Sequence, residues 1–254
     1  MNVFSMSHQH GLSLVELAIA LAAMGVMTWA VANAYGNTAR QRDHDAALVQ
    51  GQQMLDAIRA FALANSRLPC PDTDGDGWEG NASGACPSSV EVGWLPYRSL
   101  GYDLPDARFR AAYGVYRNAS ATAGNADLAV LAERSNPLDV PGDSGYKNVR
   151  DLIAALGFAA AESASTTHIR LTGDGAQRGA IDCTNNIHHP AFAMVLPLND
   201  MDGDGSRFDG IHAGLPMTGN CFQAPGSPMK NTQDDVVIDD SFSALAGWLS
   251  ARAP

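Results

Sequence analysis

From Leu12 to Ala32 the chain runs for 21 residues with Glu16 as its only charge, and this stretch limits what the rest can be. At about 1.5 Å rise per residue a helix of that length reaches about 30 Å, the thickness of a bilayer's hydrocarbon. The run therefore predicts a transmembrane helix over residues 12–32. A carboxylate there is costly, by about 2.5–3.5 kcal/mol for an Asp at mid-helix on the insertion scale. Simple anchoring requires no such residue, so Glu16 needs a partner. Two plainer readings compete. Ala32-Asn33-Ala34 has the small-x-small form of a secretory cleavage site, which would free a chain starting at Tyr35. Against it stand the absence of a positive n-region and an apolar run longer than the usual length of about 7–15 residues. A plain signal anchor is the other.

Gly11 stands immediately before the run, Leu12 follows it, and Glu16 lies five positions beyond Gly11. The segment Gly11-Leu12-Ser13-Leu14-Val15-Glu16 resembles the class III signal of type IV pilins and type II secretion pseudopilins. The resemblance implies that residues 1–11 are a leader, that prepilin peptidase cuts after Gly11, and that the new amino terminus of Leu12 is methylated. It implies further that the Leu12 amine of one subunit meets the Glu16 carboxylate of its neighbour as subunits enter a filament. That supplies the missing partner, because a buried charge is tolerable when paired. The leader holds no Lys or Arg, Leu12 takes a place where Phe or Met is more common, and no proline precedes Pro69.

Past Gly36 the pattern becomes amphipathic. Ala47, Gly51, Met54, Ile58 and Phe61 recur at spacings of four and three, with Leu48, Leu55 and Ala62 alongside. This is one apolar helix face, and it predicts packing on a globular head. The residue before Pro69 is biased away from helix, so the spine is read as residues 12–66 and the head as 67–254. In the head, strands are expected at Ala112–Arg117, Leu128–Glu133, His168–Thr172, Ala191–Leu198 and Asp235–Asp239. Helices are expected at Asn148–Ala161 and Ser241–Ser250, and Trp78, Trp94, Pro96 and Tyr97 are read as anchors of a loop-rich stretch. A long helix followed by runs of strands is an α+β pattern, with a mainly antiparallel head carrying loop insertions. The bipartite spine extends the resemblance, and the chain's size favours a minor subunit within that family.

All four cysteines, Cys70, Cys86, Cys183 and Cys221, lie beyond the apolar run. An even count in a translocated domain reads as two disulfides in an oxidising compartment. Three connectivities are possible. Pairing Cys70 with Cys86 and Cys183 with Cys221 is favoured, because each bridge closes a local loop around a Gly/Asp-rich segment. Two such segments stand out, Asp72-x-Asp74-Gly75-Asp76-Gly77 and Asp200-x-Asp202-Gly203-Asp204-Gly205, the second followed by Asp209. Carboxylates at alternate positions with Gly at the sixth are how the first half of an EF-hand loop offers hard oxygens to Ca²⁺. Ser83 and Ile211 stand where the twelfth-position Glu would be, so an EF-hand is rejected. A looser Ca²⁺ site remains the candidate, built on Asp72, Asp74 and Asp76 or on Asp200, Asp202, Asp204 and Asp209. The plain alternative is that Asp-Gly repeats make tight turns.

A net charge of −11 without a Lys/Arg cluster argues against a nucleic-acid partner. No Gly-x-Ser-x-Gly elbow or Walker A loop occurs, so neither an enzyme nor a motor ATPase is expected. His188-His189 is read as part of an exposed loop. The resulting expectation is a structural minor pilin or pseudopilin-like subunit. Its partners are other such subunits, prepilin peptidase and the bacterial inner membrane; its head is periplasmic before assembly and lies in a pilus or pseudopilus afterwards. The alternative is a membrane-tethered or secreted calcium-binding adhesion domain that does not polymerise.

Overall fold

The computed structural model describes residues 13–134, 145–174, 181–216, 218–227 and 232–253. Helix α1 covers Leu14–Asn65, and the chain divides between Asp45 and Ala46 into two compact units. In the first unit, the apolar side chains of the run Leu14–Val31 all face outward; Leu14 is 86% and Trp29 71% exposed. This is the one helix among the described residues long and apolar enough to cross a membrane. Its start is fixed by a capping box. The Ser13 amide donates to Glu16 Oε2 at 2.8 Å, and the Glu16 amide donates to Ser13 Oγ at 3.2 Å.

The second unit is α+β. From Ala46 onward, α1 buries Ala47, Gly51, Met54, Leu55, Ile58 and Ala62. The buried stripe thus leans towards Leu55 and Ala62: Leu48 stays exposed and Phe61 only half-buried. After it come β1 (Val92–Trp94), β2 (Ala112–Val115), α2 (Val149–Ala161), β3 (Arg170–Leu171), β4 (Gly173–Asp174) and β5 (Ile181–Asp182). The chain ends with β6 (Phe192–Leu196), β7 (Cys221–Phe222), β8 (Val236–Asp240) and α3 (Phe242–Ser250). Strands β1, β2, β6 and β8 form an antiparallel sheet in that order, with Tyr113 opposite Met194 and Met194 opposite Ile238. Strands β2 and β6 are buried along their whole length, as their unbroken apolar sequences demand. Short β3 runs parallel to β7, and β4 pairs with β5.

Close approach is built in at Gly51, where a Cβ would stand 2.6 Å from Ile238 Cγ1 of β8. Arg59 of α1 also reaches β8, bonding Asp240 at 2.8 Å. Helix α2 begins at Asn148, whose side chain forms a capping box with Asp151, and it packs against α3, itself capped by Ser241. The disulfides are Cys70–Cys86 and Cys183–Cys221, the local pairing.

Three expectations fail. Leu128–Glu133 is not a strand: Leu128 bonds the backbone of Tyr116 and Leu68, but past it the Arg134 guanidinium takes the Val130 and Ala132 carbonyls, as it does those of Asn125 and Asp127 before it. Strand β1 forms inside the stretch read as loop. Trp78 is 54% exposed and anchors nothing, whereas Tyr97 is buried. The Cys70–Asp72 segment lies alongside β1, with Asp72 and Trp94 exchanging both backbone hydrogen bonds at 2.9 and 2.7 Å.

Candidate functional site

The two acidic loops adopt the same conformation. In the first, Asp72 Oδ1 accepts from Gly75 N and Oδ2 from Gly77 N, while Asp74 accepts from Asp76 N and Asp76 from Trp78 N. In the second, Asp200 Oδ1 accepts from Gly203 N and Oδ2 from Gly205 N, Asp202 from Asp204 N and Asp204 from Ser206 N. The glycines at equivalent places have φ of 78° and 90° in one loop and 77° and 89° in the other, a left-handed region that side chains oppose. The repeated sequence thus makes a repeated turn, with each Asp folding back on an amide two to five residues ahead.

The loops differ in their surroundings. Asp72 is buried with both oxygens occupied, and burial raises its pKa. Arg110 lies beside that loop and donates to the Gly75 carbonyl at 2.6 Å. Beside the second loop stands Asp209, with no exposed surface. Its Oδ1 accepts from Met201 N at 2.9 Å, and its own amide donates to Asp235 Oδ2 at 3.0 Å. Asp234, at the entry to β8, accepts from the Asn199 amide and side chain. Burial pushes the Asp209 carboxyl up to about 6, with the neighbouring Asp235 and Asp234 charges adding to it. Burial likewise raises Asp235.

Three groups of carboxylates bring one oxygen each within 4.8 Å of one another: Asp72 with Asp74 and Asp76, Asp200 with Asp202 and Asp209, and Asp209 with Asp234 and Asp235. Asp204 belongs to none of them. The third group escaped the sequence reading. Asp234-Asp235 is a bare acidic pair before an apolar strand, and nothing local says that β8 delivers it to Asp209.

Glu16 occupies the third helical position of α1, where its capping bond satisfies one oxygen within its own chain. The signal for that bond, Ser13-x-x-Glu16, was present in the sequence. Gly11 and Leu12, the expected cleavage pair, lie outside the described residues. His188 is exposed, but His189 is half-buried, its ring against Tyr116 and His168 at 5.3 and 5.9 Å. Its Nε2 accepts from Ser165 N, and its Nδ1 faces the Ile169 carbonyl at 2.6 Å. Both ring nitrogens are therefore engaged with backbone groups, and the residue lines an open cleft with Glu162, Ser241 and Phe242. No family model, curated protein or solved structure matches this chain, so the meaning of these groups rests on their own geometry.

Proposed function

We propose that this chain is a structural subunit of the type IV pilin and type II secretion pseudopilin class, cut after Gly11 and assembled through α1 into a filament at the inner membrane. The observation that carries the reading is the start of α1: a lone carboxylate heads a run of outward-facing apolar side chains. Anchoring alone does not call for Glu16. The Ser13 amide takes one of its oxygens, and a carboxylate offers about four acceptor positions, so room remains for an incoming amine. In lipid that amine is the Leu12 terminus of a neighbour; in the assembled filament the apolar helices replace lipid around one another. The α+β unit that follows presents the surfaces by which a low-copy subunit is told apart.

The decisive experiment compares Glu16→Gln with Glu16→Ala in the native host. Gln serves in a capping box nearly as well as Glu but carries no charge. If pairing with an amine is the role, both variants drop out of sheared filaments at least tenfold while remaining in the membrane with both disulfides formed. Loss with Ala alone would reduce Glu16 to a helix cap. Mass spectrometry of the membrane-extracted protein tests the processing step: a methylated Leu12 start supports it, and a start at Met1 or Tyr35 excludes it.

A further inference from the structure

The cluster around Asp209 goes beyond filament assembly. Asp209 Oδ2 and Asp235 Oδ1 are both buried and both lack a hydrogen-bond partner. The side chain of Asp235 has no exposed surface, and Asp234 is 4% exposed. A buried acceptor left without a donor is costly, more so when charged, so two of them in carboxylates that gather within 4.8 Å call for an occupant.

Among the described residues, no Lys or Arg forms an ion pair with these carboxylates. His212 is the one ion-pair partner, its Nδ1 2.8 Å from Asp235 Oδ2. Its Nε2 accepts from the Gln223 amide at 3.0 Å, so Nδ1 is the ring nitrogen that donates to Asp235. Arg207, the nearest arginine in sequence, donates to the Leu198 carbonyl and lies over the Phe109 ring. Among the described residues, three carboxylates thus converge without a Lys or Arg paired to them.

We propose that Asp209, Asp234 and Asp235 hold a calcium ion, with Asp200 and Asp202 closing its shell from the loop side. All donors are hard oxygens, which excludes a thiolate- or imidazole-seeking metal. Five carboxylates gathered at one place suit Ca²⁺, which takes about six to eight oxygens in a flexible shell, better than Mg²⁺, which keeps several waters and is usually held through one or two carboxylates. Asp209 belongs to both triads and is the central ligand. The twin loop at Asp72 serves as the internal control: it has the same turn and the same carboxylates, but its buried Asp has both oxygens filled and an arginine stands beside it.

The test is thermal unfolding of the full chain in detergent micelles, with EGTA, calcium or magnesium, together with calcium equilibrium dialysis. One ion is expected per chain with a Kd of about 0.1–1 mM, as in extracellular calcium modules. Saturating calcium should raise the midpoint by about 5 °C or more, and equal magnesium by less than half as much. Asp209→Asn should abolish that rise yet unfold no earlier than the parent in EGTA, because it removes a buried charge. Asp202→Asn, at an exposed position, should weaken calcium about tenfold and decides the matter should Asp209→Asn not fold. The double variant Asp74→Asn/Asp76→Asn should leave the response intact. A parent that ignores calcium, a response surviving in Asp209→Asn, an unchanged affinity in Asp202→Asn, or a response lost in the double variant each overturns the site. Equal stabilisation by magnesium overturns the choice of ion.

Discussion

Arg117 and Asp127 meet in a two-point ion pair, both contacts at 2.9 Å, with side chains 1% and 4% exposed. The guanidinium is completed by the Pro87 and Val90 carbonyls. Such a pair does little for net stability, yet removing one half strands the other in a dry interior. Asp127→Ala should therefore cost about 3–5 kcal/mol in denaturant unfolding, far more than an exposed pair such as Arg108–Asp106. A second residue-scale effect is set by pH. His168 Nδ1 lies 2.5 Å from Glu91 Oε1, and this bond raises the imidazole above its ordinary 6.5. Its contribution is fully present below pH 6.5 and is lost as pH rises through the raised value. Neighbouring His189 acts in the opposite sense: burial lowers its pKa, so its contribution is lost as pH falls below 6.5. Glu91→Gln should flatten the decline on the alkaline side and deepen the loss on the acid side, because the Glu91 charge also supports protonated His189, read from urea midpoints across the range.

At the scale of elements, the sharpest sequence signals came through best. The period of four and three placed α1's buried face to within one stripe, and Asn148 and Ser241 start α2 and α3 because their side chains reach amides ahead of them. Gly51 shows what periodicity cannot convey. A glycine inside a helix costs about 1 kcal/mol relative to Ala, and here it lets the helix backbone approach Ile238. Gly51→Leu should accordingly destabilise the unit by about 2 kcal/mol or more, although it improves helix propensity and apolarity. The disulfides act on the unfolded chain instead. Replacing Cys70 and Cys86 by Ser releases a loop of 16 residues' separation and should cost about 3 kcal/mol, visible as a lower unfolding midpoint with little change in the native circular dichroism.

For the whole molecule, what was legible was whatever a short window encodes: the apolar run, the helix face, the turns of the two acidic loops, and the fully apolar strand β6. What escaped was long-range. Arg134 collecting four carbonyls looks like any charged residue ending an apolar run, and Asp234-Asp235 gains its meaning only from β8 reaching Asp209. Strand β1 is three residues long and exists because β2 offers it a partner.

The chain lying alongside β1 has one further consequence. A sheet's outermost strand ordinarily offers unpaired amides and carbonyls to any strand that drifts past, a standing invitation to amyloid-like stacking. Here Pro69-Cys70-Pro71-Asp72 meets that border at Trp94, fastened by the Asp72–Trp94 bonds and by the bridge to Cys86. Two of its four residues have no amide hydrogen to donate. Gly93 lets the segment lie close, since a Cβ there would stand 2.5 Å from the Asp72 carbonyl oxygen. The Asp72 turn that looks like half a cation loop is thus the far end of a selvedge, closing the Trp94 end of this border to strand addition.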